Sequence, residues 1–296
     1  MNRIFIFVLI LCSIWLYSCS KNMLQIVADQ KQIQLSQKVK LSPSIQDAEN
    51  YEWDFGDGEK STSKFPEHRF LKSGTRTVTL KTTKANKTKI SKMDIQVQAT
   101  TDCLVELQTP MGNMLIKLYD ETPHHRDNFI KLAEQHYYDD LLFHRVINGF
   151  MIQGGDPDSK NAVAGKNLGS GGPGYTVDAE FNPKFIHKKG ALAAARTGDQ
   201  INPQKKSSGS QFYIVQGTKQ SEAALSRMED QKGIKYSEAQ KKAYMEMGGT
   251  PFLDMEYTVY GEVIDGLDVI DKIAATKTQR GDRPEQDVKM KMVVLK

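Results

Sequence analysis

Apolar and polar residues are ordered differently in three stretches of the chain. From Ile4 to Leu16 the sequence is almost wholly apolar, and Arg3 is the only charge before Cys19. Such a run is shorter than the ~20 residues of a spanning helix; it has the length of a signal-peptide core. Residues 24 to about 99 carry short alternating runs instead. Val39-Lys40-Leu41-Ser42, Thr77-Val78-Thr79-Leu80-Lys81-Thr82 and Ile95-Gln96-Val97 predict strands. Between them, Tyr51-Glu52-Trp53-Asp54-Phe55-Gly56-Asp57-Gly58 puts Asp and Gly at a strand end, where they favour tight turns with positive φ. Trp53 and Phe55 supply core volume. The twelve-residue ligand spacing of an EF-hand and its terminal Glu are missing.

The third stretch opens with Leu104–Leu107 and Met114–Leu118, alternating runs flanking a Pro110-Met111-Gly112-Asn113 turn, which predict a hairpin. Thr122 followed by Pro123 predicts a helix start, with Thr122 as N-cap. Phe129, Ile130, Leu132 and Ala133 form that helix's apolar face. Further strands are predicted at Ser210–Val215, Thr258–Val263 and Lys289–Leu295, and a short amphipathic helix at Leu267–Ala275. Lys219–Gly249 is a charged insertion. Its Ala224-Leu225, Met228, Ala243-Tyr244 and Met247 predict two short helices, the second opened by a capping box at Ser237–Gln240. It is read either as a solvated excursion beside a groove or as a lid or docking arm that narrows the choice of ligand.

Charge changes the picture near residue 100. Residues 20–99 carry 14 basic and 9 acidic side chains, residues 100–296 carry 25 and 27, which supports a domain boundary there. The whole chain of 296 residues is only +4, too small an excess to argue for nucleic acid. Its three cysteines, Cys12, Cys19 and Cys103, cannot build a disulfide scaffold or a four-thiolate zinc site, and no metal or cofactor is implied. Ser170-Gly171-Gly172-Pro173-Gly174 lacks the GK[ST] ending of a phosphate loop and reads as a surface loop.

Three resemblances then organise the chain. Leu16-Tyr17-Ser18-Cys19 resembles a bacterial lipobox, which implies a signal peptide over 1–18, lipidation of Cys19, a tether over 19–34 and a place in the bacterial cell envelope with the rest of the chain outside the cytoplasm. An ordinary secretory signal with an incidental Cys19 is the alternative. Trp53-Asp54-Phe55-Gly56-Asp57-Gly58, Pro66-Glu67-His68-Arg69-Phe70 and Ser73-Gly74-Thr75 resemble a PKD (polycystic kidney disease) repeat, implying an immunoglobulin-like β-sandwich over 35–99 that serves as scaffold.

The run Phe143-His144-Arg145-Val146-Ile147-Asn148-Gly149-Phe150-Met151-Ile152-Gln153-Gly154-Gly155-Asp156 places an arginine among large apolar groups. A partly desolvated guanidinium is costly unless a ligand carbonyl or carboxylate uses it. Met151 and Gln153 share its face only if the Asn148-Gly149 bend preserves strand phase. With Gly190-Ala191-Leu192-Ala193-Ala194-Ala195-Arg196, Ser208-Gly209-Ser210-Gln211-Phe212-Tyr213-Ile214 and Pro251-Phe252-Leu253-Asp254, the run resembles a cyclophilin-type peptidyl-prolyl cis–trans isomerase over 103–296. That resemblance implies a chain dominated by β-structure, its second domain a closed eight-stranded barrel capped by two helices. It implies Arg145 as the catalytic arginine and Phe150, Met151, Tyr213, Phe252 and Leu253 as the proline pocket. Gln153 and Gln211 would be hydrogen-bonding groups, and the Ala195-Arg196 backbone would pair with substrate. Phe252 replaces the tryptophan of cyclosporin-sensitive members and Tyr257 a common histidine, which implies weak cyclosporin binding. His144 reads as a packing or substrate-edge residue. The implied partners are proline-containing polypeptides among exported proteins and, through Cys19, a membrane. A catalytically weak adaptor that grips proline-containing loops, and an adhesin in which the sandwich is the working part, are the competing readings.

Overall fold

The computed structural model describes residues 23–279 and 281–295. The chain divides between residues 98 and 99 into two compact units. The apolar segment 1–18 and Cys19 lie outside the described residues, and among those described no helix is long and apolar enough to cross a membrane.

The first unit holds β1 (Ile26–Ala28), β2 (Gln32–Gln34), β3 (Lys38–Pro43), β4 (Asn50–Asp54), β5 (Lys60–Ser61), β6 (Glu67–Arg69), β7 (Gly74–Lys84) and β8 (Lys87–Gln98). They form a β1-β3-β6 sheet and a β2-β8-β7-β4-β5 sheet. Alternation decides what is buried: Val39 and Leu41, Tyr51 and Trp53, Val78 and Leu80, and Ile95 and Val97 point inward while their neighbours do not. Strands β1 and β2 fall within the stretch 19–34 expected as a tether. Ile26 and Ile33 each bury one apolar side chain from a three-residue strand, too short a run to show a period. The Asp-Gly motif closes a turn: Gly56 N–H donates to Asp54 Oδ1 at 2.9 Å, and Asp57 reaches His68 Nε2 at 2.7 Å.

The second unit begins with the β9 (Leu104–Thr109) and β10 (Gly112–Leu118) hairpin and α1 (Pro123–Glu134). Thr122 holds the N-cap position without a side-chain cap. Instead the Glu180 carboxylate accepts from His124 N–H at 3.1 Å and His125 N–H at 2.9 Å, a negative group at the positive end of the helix. Then follow β11 (Arg145–Ile147), β12 (Met151–Gly154), β13 (Thr176–Val177), β14 (Ala191–Ala194), β15 (Ser207–Ser208), β16 (Phe212–Val215), α2 (Glu222–Lys232), α3 (Glu238–Glu246), β17 (Val259–Asp265), α4 (Leu267–Ala274) and β18 (Lys291–Val294). Eight strands make one curled antiparallel sheet in the order β11-β12-β16-β14-β17-β10-β9-β18.

The ladder does not close into the barrel the sequence implied. Its two ends meet only through an isolated Leu142–Lys289 bridge and bonds such as Phe143 N–H to the Val288 carbonyl at 3.0 Å. The segment before β18 is irregular and carries Pro284, which cannot donate to a ladder. On one face α1 and α4 cover a core of Val105, Leu107, Ile116, Phe129, Phe212, Ile214 and Ile270.

The insertion is not a solvated excursion. Helices α2 and α3 bury Leu225, Tyr236 and Tyr244 together with Ile186. Both halves of the Ser237–Gln240 capping box form.

Candidate functional site

Strand register builds the site. Arg145 of β11 faces Gln153 of β12, Gln153 faces Tyr213 of β16, and Tyr213 faces Ala193 of β14. Facing residues on neighbouring strands share a side of the sheet, so these four form a row across it. The bend after β11 keeps the phase, pairing Ile147 with Met151. Gly149 turns the chain at φ +79°. Val146, Ile152, Leu192 and Ile214 point to the helix-covered core, whereas Met151, Ala193, Tyr213 and Val215 form a second apolar cluster with Leu253 and, at its edge, Phe150 and Tyr257.

That second face opens into a cavity of about 410 Å³ lined by Arg145, Phe150, Met151, Gln153, Ala195, Arg196, Tyr213, Leu253 and Tyr257. Phe252 is not among the lining residues: it is 51% exposed, with its ring 5.7 Å from that of Phe150. A neighbouring hollow of about 680 Å³ shares Gln153, Gly169, Ala195 and Arg196 and adds Gln211 and the loop residues Ser170, Gly171 and Gly172. Gln153 Nε2 donates to Gln211 Oε1 at 3.1 Å, and Gln211 Nε2 donates to the Gly171 carbonyl at 2.8 Å. The two amides thus stand in a fixed line between the hollows.

The Arg145 side chain is 43% exposed, and its Nε lies 3.4 Å from an equally open Asp282 carboxylate. Arg196 behaves differently. Its side chain is 4% exposed, donates from Nε to the Glu256 carbonyl at 2.9 Å, pairs with Asp199, and stacks over Tyr257 at 4.5 Å. Both backbone groups of Ala195 are used within the fold: its N–H donates to the Gln211 carbonyl at 3.0 Å and its carbonyl accepts from Ser208 N–H at 2.8 Å.

Two further residues stand in the cavity wall, His144, read from the sequence as a packing or substrate-edge residue, and Arg283, which had no signal there. His144 is 4% exposed with neither ring nitrogen hydrogen-bonded, and burial pushes its pKa down to about 4, so the ring is neutral at pH 7. Arg283, also buried, donates to the carbonyls of Ala162 and Val163 at 3.0 and 2.9 Å and so holds the loop that supplies Gly165–Gly169 to the wall. A lone arginine in an irregular loop has no periodicity by which to find it. Among the described residues no group of three or more His, Cys, Asp or Glu side chains could hold a metal ion.

The hollow sets two open cations, Arg145 and Lys166, and a line of amides against apolar rings, a lining that suits the class of ligand carrying both peptide groups and apolar side chains. The comparisons narrow the class. Residues 104–294 match the family model described as cyclophilin type peptidyl-prolyl cis-trans isomerase/CLD, and residues 22–99 match the PKD domain. A peptidyl-prolyl cis-trans isomerase of Staphylococcus saprophyticus is 38% identical over 183 residues, covering 62% of this chain and 86% of the relative. One from Staphylococcus aureus is 38% identical over 185 residues, covering 62% and 87%. A Cryptosporidium parvum isomerase of cyclophilin type, also solved in the presence of the dipeptide Ala-Pro, is 24% identical, with 66% of this chain and 98% of that chain covered at a TM-score of 0.47. The chain belongs to the cyclophilin type peptidyl-prolyl cis-trans isomerase family and carries a PKD domain ahead of the isomerase unit.

Proposed function

We propose that the cavity beside Arg145 is the prolyl pocket and that Arg145 is the catalytic residue for X–Pro rotation in exported client proteins. The observation that carries this reading is the row Arg145, Gln153, Tyr213 on the face that also presents Met151, Leu253 and Phe150. Rotation about an X–Pro bond faces ~18–20 kcal/mol because the C–N bond is partly double, and uncatalysed exchange takes tens to hundreds of seconds. No bond breaks, so the protein has only to bind the twisted state better than either planar isomer. In that state the proline nitrogen gains a lone pair, to which the Arg145 guanidinium donates. The apolar wall clamps the ring, while Gln153 and Gln211 hold the rotating carbonyl and the neighbouring chain. With the Ala195 backbone engaged inside the fold, pairing of an extended client falls to Arg196, whose side chain turns to Glu256.

A charged hydrogen bond contributes ~1.5–3 kcal/mol, and 1.36 kcal/mol is a factor of ten in rate. Arg145→Ala should therefore lower kcat/KM on a short X–Pro peptide by roughly ten- to 150-fold. An unchanged rate would sink the catalytic assignment and favour a proline-binding adaptor. Weak cyclosporin binding belongs to the same proposal and rests on Phe252 standing where cyclosporin-sensitive members carry tryptophan and on Tyr257 in place of a common histidine.

Anchoring of the chain to a bacterial membrane is part of the same proposal and rests on the apolar run before Leu16-Tyr17-Ser18-Cys19. Cys19→Ala should shift the protein from the membrane pellet to the soluble fraction; an unaltered distribution would remove the anchor.

A further inference from the structure

Behind the cavity runs a buried chain of hydrogen bonds that ends in the insertion. Tyr213 Oη lies 3.0 Å from His187 Nε2. His187 Nδ1 and the His187 backbone N–H both meet Asp254 Oδ1 at 2.8 Å. The other carboxylate oxygen, Oδ2, accepts the hydroxyls of Tyr236 and Tyr244, each at 2.6 Å. Tyr236 and Tyr244 come from the insertion, which also sends Lys232 Nζ to the Asp254 carbonyl at 2.9 Å. All five side chains are buried: His187 and Tyr244 at 0%, Asp254 at 3%, Tyr213 at 5% and Tyr236 at 7% exposure.

A carboxylate oxygen accepts, so the Nδ1–H of His187 faces Asp254 and Nε2 is the ring atom that meets the Tyr213 hydroxyl. Burial keeps Tyr213 in its neutral, donating form by raising its pKa well above the ordinary 10.0. One carboxylate thereby fixes two parts of the cavity: Tyr213 through His187, and Leu253 as its own chain neighbour. Four donors aimed at a buried carboxylate are needed to hold it in place, and removing any leaves charge poorly satisfied in a medium where that is expensive.

We infer that the insertion 219–249 is a positioning element for the prolyl pocket, with Tyr236, Tyr244, Asp254 and His187 as positioning residues that act through Tyr213. The inference rests on the cavity being that pocket, and it replaces the picture of a lid acting from outside.

The test is a double-mutant cycle on the full chain. Tyr236→Phe/Tyr244→Phe keeps both rings and their packing while deleting both hydroxyls; Tyr244→Phe alone serves if the pair fails to fold. Turnover of a short X–Pro peptide is read well below the melting temperature. The expected loss in kcat/KM is about two- to thirtyfold, the range over which coupled side chains modulate a distant site. In a Tyr213→Phe background the same substitutions should have almost no further effect, because the hydroxyl through which they act is gone. A merely structural role would instead lower the melting temperature with kcat/KM intact, or give losses that multiply in that background; either result overturns the inference. A rate indifferent to Arg145→Ala would fault the pocket reading itself, whereas an Arg145-dependent rate with no Tyr213 coupling faults only this step.

Discussion

A guanidinium can act on an uncharged amide only while its other attachments are loose. Asp282 reaches Arg145 Nε at 3.4 Å with both side chains more than two-fifths exposed, an arrangement worth at most ~1 kcal/mol. Substrate can displace it, which the tightly held Arg196 would not allow. Arg145→Lys keeps the charge and loses the planar fork, so kcat/KM should fall between the parent and Arg145→Ala. The neighbouring His144 makes a different prediction. Burial lowers its pKa from 6.5 to about 4, and burial also lowers that of His125. The unfolded chain therefore takes up these protons first as pH falls, and stability drops from about pH 6.5 down to about 4. For His144 the full effect is on the order of 3 kcal/mol, at about 1.36 kcal/mol per pH unit. Chemical denaturation across that window should show the slope, and His144→Gln should shrink it. Catalysis, which uses no proton transfer, should stay nearly flat between about pH 6 and 9; a bell-shaped profile centred near pH 7 would contradict the mechanism.

Among the elements, what the sequence reveals depends on how far apart the cooperating residues lie. Helices α1 and α4 were legible because each buries one face by a local period, whereas the β9–β10 hairpin was marked by its turn and β16, buried at every position from Phe212 to Val215, by its apolar composition. Strand β14 was legible only as a motif, since Ala191, Leu192, Ala193 and Ala194 are all buried and show no alternation. The cap on α1 comes from Glu180, 55 residues from His125 in the chain, so Thr122-Pro123 marked the start without revealing the partner. The open end of the sheet was hidden for a related reason: closure depends on backbone pairing across 142 and 289, which no side-chain pattern reports. Glycines at strand ends carry a firmer message. Gly155, just after β12, has φ +89°, and a Cβ there would lie 2.2 Å from the Ser210 carbonyl oxygen. Gly155→Ala should destabilise the isomerase unit by on the order of 2–4 kcal/mol through strain and overlap. That is a melting shift of roughly 5–15 °C for a unit this size, measurable by calorimetry, and an unshifted transition would show that the strand end relaxes freely.

At the scale of the whole molecule, the division of labour follows from where the residues fall in the chain. The lining of both hollows and the hydrogen bonds behind them come from residues 144–283, all within the second unit. The candidate site was legible because its motifs occur in order along that unit. Its support was not, because His187, Asp254, Tyr236 and Tyr244 meet only in three dimensions. The first unit has a core of its own around Trp53, which is 1% exposed and donates from Nε1 to the Ser63 carbonyl at 2.9 Å. Truncating a buried tryptophan removes ~3–5 kcal/mol, a large part of the ~5–15 kcal/mol that holds a typical domain folded. Trp53→Ala should therefore make residues 23–98 the preferred target of limited proteolysis. The surviving fragment should begin near residue 99 and turn over a short X–Pro peptide within about twofold of the parent, since every group that meets the peptide is retained. A rate that falls in step with cleavage of the first unit would mean that the sandwich contributes to the pocket, and the separation of scaffold from catalyst would have to be abandoned.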